Sequence, residues 1–351
     1  MQAIVYHGPR DFRVDGIPDA EIREPTDAVV RIERTAICGS DLHLWHGEPL
    51  PFSDFAMGHE FLGVVEDVGA DVRRFARGDR VLVSCTNGCG SCAMCHDHLY
   101  TGCLTTSSKG VLSNIFGNPL LPGGQAEGAR VPFADANLLS IPPDLDDEQV
   151  LFLTDILPTG YMGADFAEVG PGDVVVVFGC GPVGTFSQLG ALLRGAALVI
   201  AVDLDDGRLA RAEQRGCLPL NPEREDLDER VRELTGGMGA DCAVEAVGRA
   251  ELVRKAVEIT RVGGHVGVVG VVTGDEVSLP FMRQVIAKNL TIRAGAVNPQ
   301  HYWPELLPLI RQGRLDPTQI ITHRMPLSEG VRGYEIFDAH AEDVLKVVLQ
   351  P

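Results

Sequence analysis

The 351-residue chain is 45% hydrophobic and 23% charged, an ordinary globular composition with apolar material for large cores and a length that suits two domains. Its formal charge of −19 excludes the basic footprint with which a nucleic-acid binder neutralises phosphates. No uninterrupted apolar run is long enough to span a bilayer, and the start, MQAIVYHGPRDFRV, has no basic region followed by an apolar run, so a cytoplasmic protein without a membrane partner is expected.

Residues 2–6 and 12–14 read as short strands joined by a turn at Gly8-Pro9. Residues 29–35 alternate apolar and charged side chains and lead to the stretch 38–60, CGSDLHLWHGEPLPFSDFAMGHE. Thiolate and imidazole both suit zinc, and a catalytic zinc takes three protein ligands and keeps its fourth position open. Cys38 and His59 supply two such ligands, although a buried thiol and a structural histidine are the bland alternative. Residues 61–68 and 80–83 are further strands, so this part reads as an irregular, barrel-like β-rich domain.

Nine cysteines, an odd number and clustered, suit metal-held thiolates better than disulfides. Cys89, Cys92 and Cys95 recur at intervals of three and Cys103 follows a short loop, the pattern of a closed four-thiolate structural zinc site. An iron–sulfur cluster also takes close-set cysteines, but there the fourth follows sooner and precedes proline, whereas Leu104 follows Cys103. Cys85 reads as a buried strand-end thiol, and His96 and His98 as surface residues. An apolar loop covers 112–122, and strands and turns through residue 142 close the first domain.

Acidic residues 144–148 suit a helix N-terminus. Residues 150–167 then read as mostly helical, with Pro158 as a kink or restart. Asp155 stands in this apolar stretch, where an unpaired carboxylate is costly; a cap, a salt bridge or a metal would each account for it. From Gly172 the run DVVVVFGCGPVG is a buried strand entering Gly179, Gly181 and Gly184, followed by a helix and a second strand that ends at Asp203. Strand, glycine turn, helix and an acid about 20 residues on form the dinucleotide fingerprint, in which the pyrophosphate meets a helix N-terminus. Further strand–helix units complete a doubly wound parallel sheet near residue 297, and the tail from 301 carries two helical patterns and a last strand.

Cys38-Gly39-Ser40-Asp41 with His43, Gly58-His59-Glu60, the four-cysteine lobe and Gly179-Cys180-Gly181-Pro182-Val183-Gly184 together resemble the zinc-dependent medium-chain alcohol dehydrogenases over essentially the whole chain. The resemblance implies an α/β protein: a GroES-like β-rich catalytic domain over 1–150 with a zinc lobe at about 85–104, a Rossmann domain over 151–297, and a return of 298–351 to the catalytic domain. It implies two zinc ions per chain, NAD and a homo-oligomer, a homotetramer in preference to a dimer.

The catalytic ligands carry over as Cys38, His59 and a third residue; many members have cysteine there, and here Asp155 occupies the place, as in bacterial secondary-alcohol and formaldehyde dehydrogenases that use aspartate. Glu60 is either a group behind the ligands or an occasional fourth ligand. Ser40 and His43 match the family's proton relay through the cofactor ribose, against bland readings as a turn residue and a packed loop side chain. Thr159 and Gly160 match the nicotinamide end, and Gly179, Gly181, Pro182, Val183, Gly184 and Gly248 the rest of the cofactor site. Asp203 suits the adenosine ribose of NAD; Arg208 is placed to pair with a 2′-phosphate, to flank the adenine or to pair with Asp205 and Asp206.

The implied reaction moves a hydride between NAD and a primary or secondary alcohol or an aldehyde hydrate, zinc polarising the oxygen. A formaldehyde dehydrogenase and a polyol- or threonine-type dehydrogenase are the alternatives inside the family. A zinc-free quinone or enone reductase and a crystallin-like binding protein are the rivals outside it, and neither has a use for the ligand set. Trp45, His46, Phe52 and Phe116 are candidates for a substrate pocket or for plain packing.

Overall fold

The computed structural model describes residues 1–47, 52–110, 113–272, 276–341 and 343–351. Leu112 of the expected apolar loop, Gly274 and Asp275 after the fifth parallel strand, and Glu342 of the tail lie outside the described residues. The chain divides into two compact units, Met1–Pro158 with Val297–Pro351, and Thr159–Ala296.

The first unit is built on one mixed sheet whose central strand is Ala28–Ala36. Its apolar Ala28, Val30 and Ile32 are buried while Arg31 stays exposed, the alternation of a strand with one covered face. Glu60–Val68 pairs with it antiparallel in a register that sets Ala36 opposite Glu60, so Cys38 and His59 emerge side by side at one end of the sheet. On the other flank Val347–Gln350 pairs antiparallel with Val348 opposite Ala36, and the N–H of Ile37 donates to the Val347 carbonyl at 3.1 Å, bringing Lys346 to the same end. His323–Pro326, a strand absent from the sequence reading, runs parallel to Val347–Gln350. A small antiparallel sheet joins Asp11–Gly16, Gln2–Gly8 and Phe55–Ala56. Over it Phe12, Trp45 and Tyr334 pack ring on ring.

The expected helix over 150–167 is interrupted. Asp147–Leu151 starts from a capping box between Asp146 and Gln149, and a 3₁₀ turn follows at Phe152–Thr154. Asp155 leaves helical geometry (φ −155°, ψ −77°) before Ile156–Phe166 begins. The break therefore falls three residues before Pro158. That proline sits in the first turn of the new helix, where its missing N–H has no partner to lose.

The second unit is a six-stranded, wholly parallel sheet. In chain order its strands are Val174–Phe178, Leu198–Val202, Leu218–Leu220, Ala240–Glu245, Thr260–Val268 and Thr291–Ala294, arranged third, second, first, fourth, fifth, sixth. That is the doubly wound dinucleotide-binding order. Val175, Val176 and Val177 are fully buried, as strands covered on both faces require. The strand expected in GHVGVVGVV begins earlier, at Thr260, and lies inside the sheet; the edge is Thr291–Ala294.

Candidate metal centre and dinucleotide site

Asp155 reaches the sheet end from the broken helix. The segment before it is fixed by the N–H of Cys85, which donates to the Thr154 carbonyl at 2.9 Å, and by Trp303 Nε1, which donates to the Leu153 carbonyl at 2.8 Å. Cys38 Sγ then lies 3.6 Å and His59 Nε2 3.2 Å from Asp155 Oδ2. One donor atom each of Cys38, His59, Glu60 and Asp155 falls within 4.8 Å of all the others, and all four residues are buried. Donors held about 2.0–2.3 Å from one zinc stand roughly 3.3–3.8 Å apart in a tetrahedron, so thiolate, imidazole and carboxylate fit the ion with little movement.

The electrostatics of this donor set also call for a cation. Burial, with the Glu60 charge adding to it, raises the Cys38 thiol, and burial raises the Glu60 carboxyl against the pull of Lys346. Burial disfavours protonated His59, yet Asp41 and Cys38 outweigh that and hold it well above its usual value. His59 Nδ1 is 3.4 Å from Asp41 Oδ1, which leaves Nε2 to face Cys38 and Asp155. That is how a ligating histidine is normally oriented, its second nitrogen held by a carboxylate.

Ser40 precedes the short helix Asp41–His46, and its Oγ is 3.3 Å from His59 Nε2. His43 lies on that helix, its N–H donating to the Ser40 carbonyl at 3.2 Å. Glu60 Oε1 accepts from Lys346 Nζ at 2.8 Å with both side chains fully buried, while Glu60 Oε2 has no hydrogen-bond partner. Lys346 was missed in the sequence; its signal was a lone cation in the apolar run VLKVVL. Cys85 is buried as expected, and its Sγ is also 3.6 Å from Asp155 Oδ1.

Of the pocket candidates, Trp45 is packed against Phe12 and Tyr334 and donates Nε1 to Asp338 at 3.0 Å. His46 pairs with the same carboxylate, Phe116 packs edge-on against Phe61, and Phe52 is exposed. For the first three the packing reading holds.

In the lobe, Cys92 Sγ stands 3.6 Å from Cys95 Sγ and 3.9 Å from Cys103 Sγ, and Cys89 Sγ is 4.0 Å from Cys95 Sγ. These are thiolate separations around one tetrahedral zinc. Burial opposes ionisation of Cys89, but hydrogen-bond donors at Ser91 and Thr105 bring its thiol down to about 5. His96 and His98 are exposed, outside the four.

In the second unit, Gly179 (φ +95°) makes the turn out of the first strand, and a Cβ there would stand 2.7 Å from Val247 Cγ2. Gly181 caps the helix Pro182–Leu193, Pro182 takes its first position, and Val183 and Gly184 its first turn. A Cβ on Gly184 would lie 2.0 Å from the Gly179 carbonyl, so the loop closes only with glycine. Asp203 Oδ2 accepts the Cys180 N–H at 2.6 Å and its Oδ1 the Asp205 N–H at 3.0 Å, tying the acid to the loop. Arg208 Nη1 is 3.9 Å from where a Gly181 Cβ would be. Thr159 opens the second unit on the helix Ile156–Phe166, whose Gly160 packs against Val183 and Phe186. Gly248 (φ +91°) sits in a turn whose N–H groups at Val247 and Gly248 donate to Glu245 Oε1 at 3.0 and 2.8 Å. The glycine loop, with the free backbone N–H groups of the helix N-terminus it leads into, is the cradle a pyrophosphate requires.

Comparison with known proteins matches residues 24–143 to the family model described as alcohol dehydrogenase GroES-like domain, and residues 182–312 to that described as zinc-binding dehydrogenase. An uncharacterized zinc-type alcohol dehydrogenase-like protein of Bacillus subtilis is 35% identical, the match covering 100% of each chain. The glutathione-independent formaldehyde dehydrogenase of Pseudomonas aeruginosa is 32% identical, over 96% of this chain and 95% of its own. Among solved structures, the alcohol dehydrogenase TADH from Thermus sp. ATN1 superposes with a TM-score of 0.92 at 38% identity, covering 100% of this chain and 99% of the other.

Proposed function

Because the chain belongs to the zinc-dependent alcohol dehydrogenase family and is a zinc-binding, NAD(H)-dependent oxidoreductase, we propose that it interconverts an alcohol or aldehyde hydrate with its carbonyl product at Cys38, His59 and Asp155. The observation that carries the assignment is the convergence of Cys38 Sγ and His59 Nε2 on Asp155 Oδ2, at 3.6 and 3.2 Å, from three separate elements. When bound, zinc supplies Lewis acidity toward the substrate oxygen and NAD supplies the hydride acceptor.

The residues do the rest. Cys38 and Asp155 bring the negative charge that balances a divalent ion, and His59 brings a neutral nitrogen. Glu60, with Oε2 unpartnered and Oε1 held by Lys346, stands behind the three as a movable fourth donor. Ser40 Oγ is close enough to the ligands to take the substrate hydroxyl proton, and as a hydroxyl it can accept one proton while giving up another. His43, one helical turn on, is the group to which that proton passes. Cys89, Cys92, Cys95 and Cys103 hold a second, structural zinc. Gly179 to Gly184, Asp203, Arg208, Thr159 and Gly248 form the NAD site, with Asp203 selecting against NADP.

A match to a relative named for formaldehyde supports including aldehyde hydrates among the substrates. Among the described residues no helix is long and apolar enough to cross a membrane. Nine free cysteines, several of them metal-ligand candidates, support a reducing, cytoplasmic setting. The exposed edge strand Thr291–Ala294 supports a homo-oligomer.

The test is NAD reduction across primary alcohols, secondary alcohols and formaldehyde, with zinc counted per chain. Replacing a group that merely orients a metal ligand costs about 10–100-fold, so loss of a ligand in Asp155→Ala should lower turnover by at least about 100-fold, with one zinc retained in the lobe. Near-full activity of D155A would place the third ligand elsewhere.

A further inference from the structure

Behind His59 runs a line of buried hydrogen bonds that the proposed chemistry does not use. Tyr334, on the helix Gly330–Asp338, donates its hydroxyl to Gln125 Oε1 at 2.8 Å. Gln125 Nε2 donates to Asp41 Oδ2 at 3.1 Å and to the Ala36 carbonyl at 3.2 Å. Asp41 Oδ2 also accepts the N–H of Cys38 at 3.0 Å, and Oδ1 stands 3.4 Å from His59 Nδ1. Tyr334 and Gln125 are fully buried and Asp41 nearly so.

The chemistry of this line singles out the amide. Tyr334 donates and Asp41 accepts, and the carboxamide offers the acceptor and the donor in one group. A carboxylate would leave Asp41 facing a like charge, and an aliphatic side chain would take this acceptor from Tyr334 and leave Asp41 Oδ2 with the Cys38 N–H alone of its two donors. Room for the amide comes from the Gly-His-Glu triplet: Gly58 has φ +92°, and a Cβ on it would stand 2.4 Å from Gln125 Cγ. The hydroxyl at the far end has a fixed origin, since the Tyr334 ring packs edge-on against Phe12 at 4.7 Å and stacks on Trp45 at 5.8 Å.

We propose that Gln125 is a positioning residue for the catalytic metal centre: it fixes the Asp41 carboxylate so that Asp41 orients both His59 and the Cys38 backbone, and it ties that carboxylate to the C-terminal helix through Tyr334. The inference rests on Cys38, His59 and Asp155 being the zinc ligands.

The experiment follows zinc release from the holoenzyme to a chromophoric chelator, with zinc per chain and melting temperature measured alongside, for H59A, Q125L, Q125E and Y334F. Loss of the partner of a metal-ligating histidine weakens the metal by about 10–100-fold. Q125L keeps that partner, Asp41, but removes what fixes it, so it should release one of the two zinc ions faster by about 10-fold, the lower end of that range, and the second at the unmodified rate. Q125E keeps the length and the acceptor for Tyr334 but gives Asp41 no donor, and it should behave like Q125L. Y334F should accelerate the same ion by a smaller factor, and it decides the matter if Q125L does not fold. Faster release of both ions together, with a lower melting temperature, would reduce Gln125 to a packing residue and overturn the proposal. H59A losing one ion while Q125L and Y334F release zinc at the unmodified rate would overturn the proposal alone; H59A keeping both ions would overturn the ligand assignment and the proposal with it.

Discussion

Asp203 shows how one residue in this chain serves two ends. Its carboxylate accepts the backbone N–H groups of Cys180 and Asp205, so it shapes the glycine loop as well as the place where an adenosine ribose would lie. A 2′-phosphate there would set like charges together, which costs several kcal/mol at a desolvated contact. Each 1.4 kcal/mol is a factor of ten. Asp203→Ser should thus narrow the ratio of kcat/KM for NAD over NADP by about 100-fold, and part of that should come as weaker NAD binding, because the loop loses an acceptor. Steady-state kinetics with both cofactors measures this. A higher kcat/KM for NADP in the unmodified protein would instead give Arg208, beside Gly181, the deciding role. The buried Glu60–Lys346 pair works differently: two ions in a dry site gain little net stability, and removing one strands the other. Its consequence is local, a carboxylate whose Oε1 is held by Lys346 and whose Oε2 is left without a hydrogen-bond partner beside Cys38, His59 and Asp155.

At the scale of elements, what could be read from the sequence is what lies within one short segment. The lobe Cys89–Cys103 and the loop Gly179–Gly184 carry their spacing in contiguous residues, and their strand and helix contexts follow from periodicity and glycine. The active cluster was legible only in part. Cys38 and Asp155 are 117 residues apart, Gln125 and Asp41 84, and Lys346 and Glu60 286. The Lys346–Glu60 meeting depends on the registers of the strands flanking Ala28–Ala36, and the other two on tertiary bonds from Cys85, Trp303 and Met57 to the segments that carry Asp155 and Gln125, none of which a local pattern encodes. The break at Asp155 was hidden for the same reason: Pro158 is the visible helix breaker, whereas tertiary bonds to Thr154 and Leu153 set the real one. The small sheet offers a test by pH. His7 joins two of its strands to the residue before a third, with Nε2 at 2.7 Å from Asp15 and Nδ1 at 2.6 Å from Asp54. Its pKa is raised, chiefly by the bond to Asp15, with slight burial opposing and Asp54 adding. A raised folded value means that the contribution to stability is complete below the unfolded pKa of about 6.5 and is lost as pH climbs through the folded one. His7→Gln should therefore lower the melting temperature by about a degree or two at pH 6 and by less at pH 9, as thermal unfolding at the two pH values would show. An equal loss at both would leave the ion pairs without effect.

For the whole molecule the question is what covers the end of the parallel sheet. Thr291–Ala294 is its last strand, Arg293 and Ala294 are exposed, and the fifth strand is already paired on both sides. An exposed edge is a template for another chain unless something blunts it. Close by in the sequence Phe281, Met282 and Ile286 are exposed at 58%, 68% and 49%, large apolar side chains on one short helical segment. We propose that this edge and these exposed apolar groups belong to an association surface whose partner is a second copy of this chain. The charge of −19 per chain works against self-association, so salt, which screens it, should strengthen the oligomer. Light scattering at micromolar concentration should give a multiple of the 37.7 kDa chain mass, four copies in preference to two. Burying an unpaired carboxylate costs several kcal/mol, so M282E combined with I286E should shift the population to a smaller species. Zinc content should stay at two per chain in that variant, since the substitutions lie in the second unit and every proposed zinc ligand in the first. A monomer in the unmodified protein, or a variant mass unchanged from it, would remove this surface as the contact and leave the catalytic assignment as it stands.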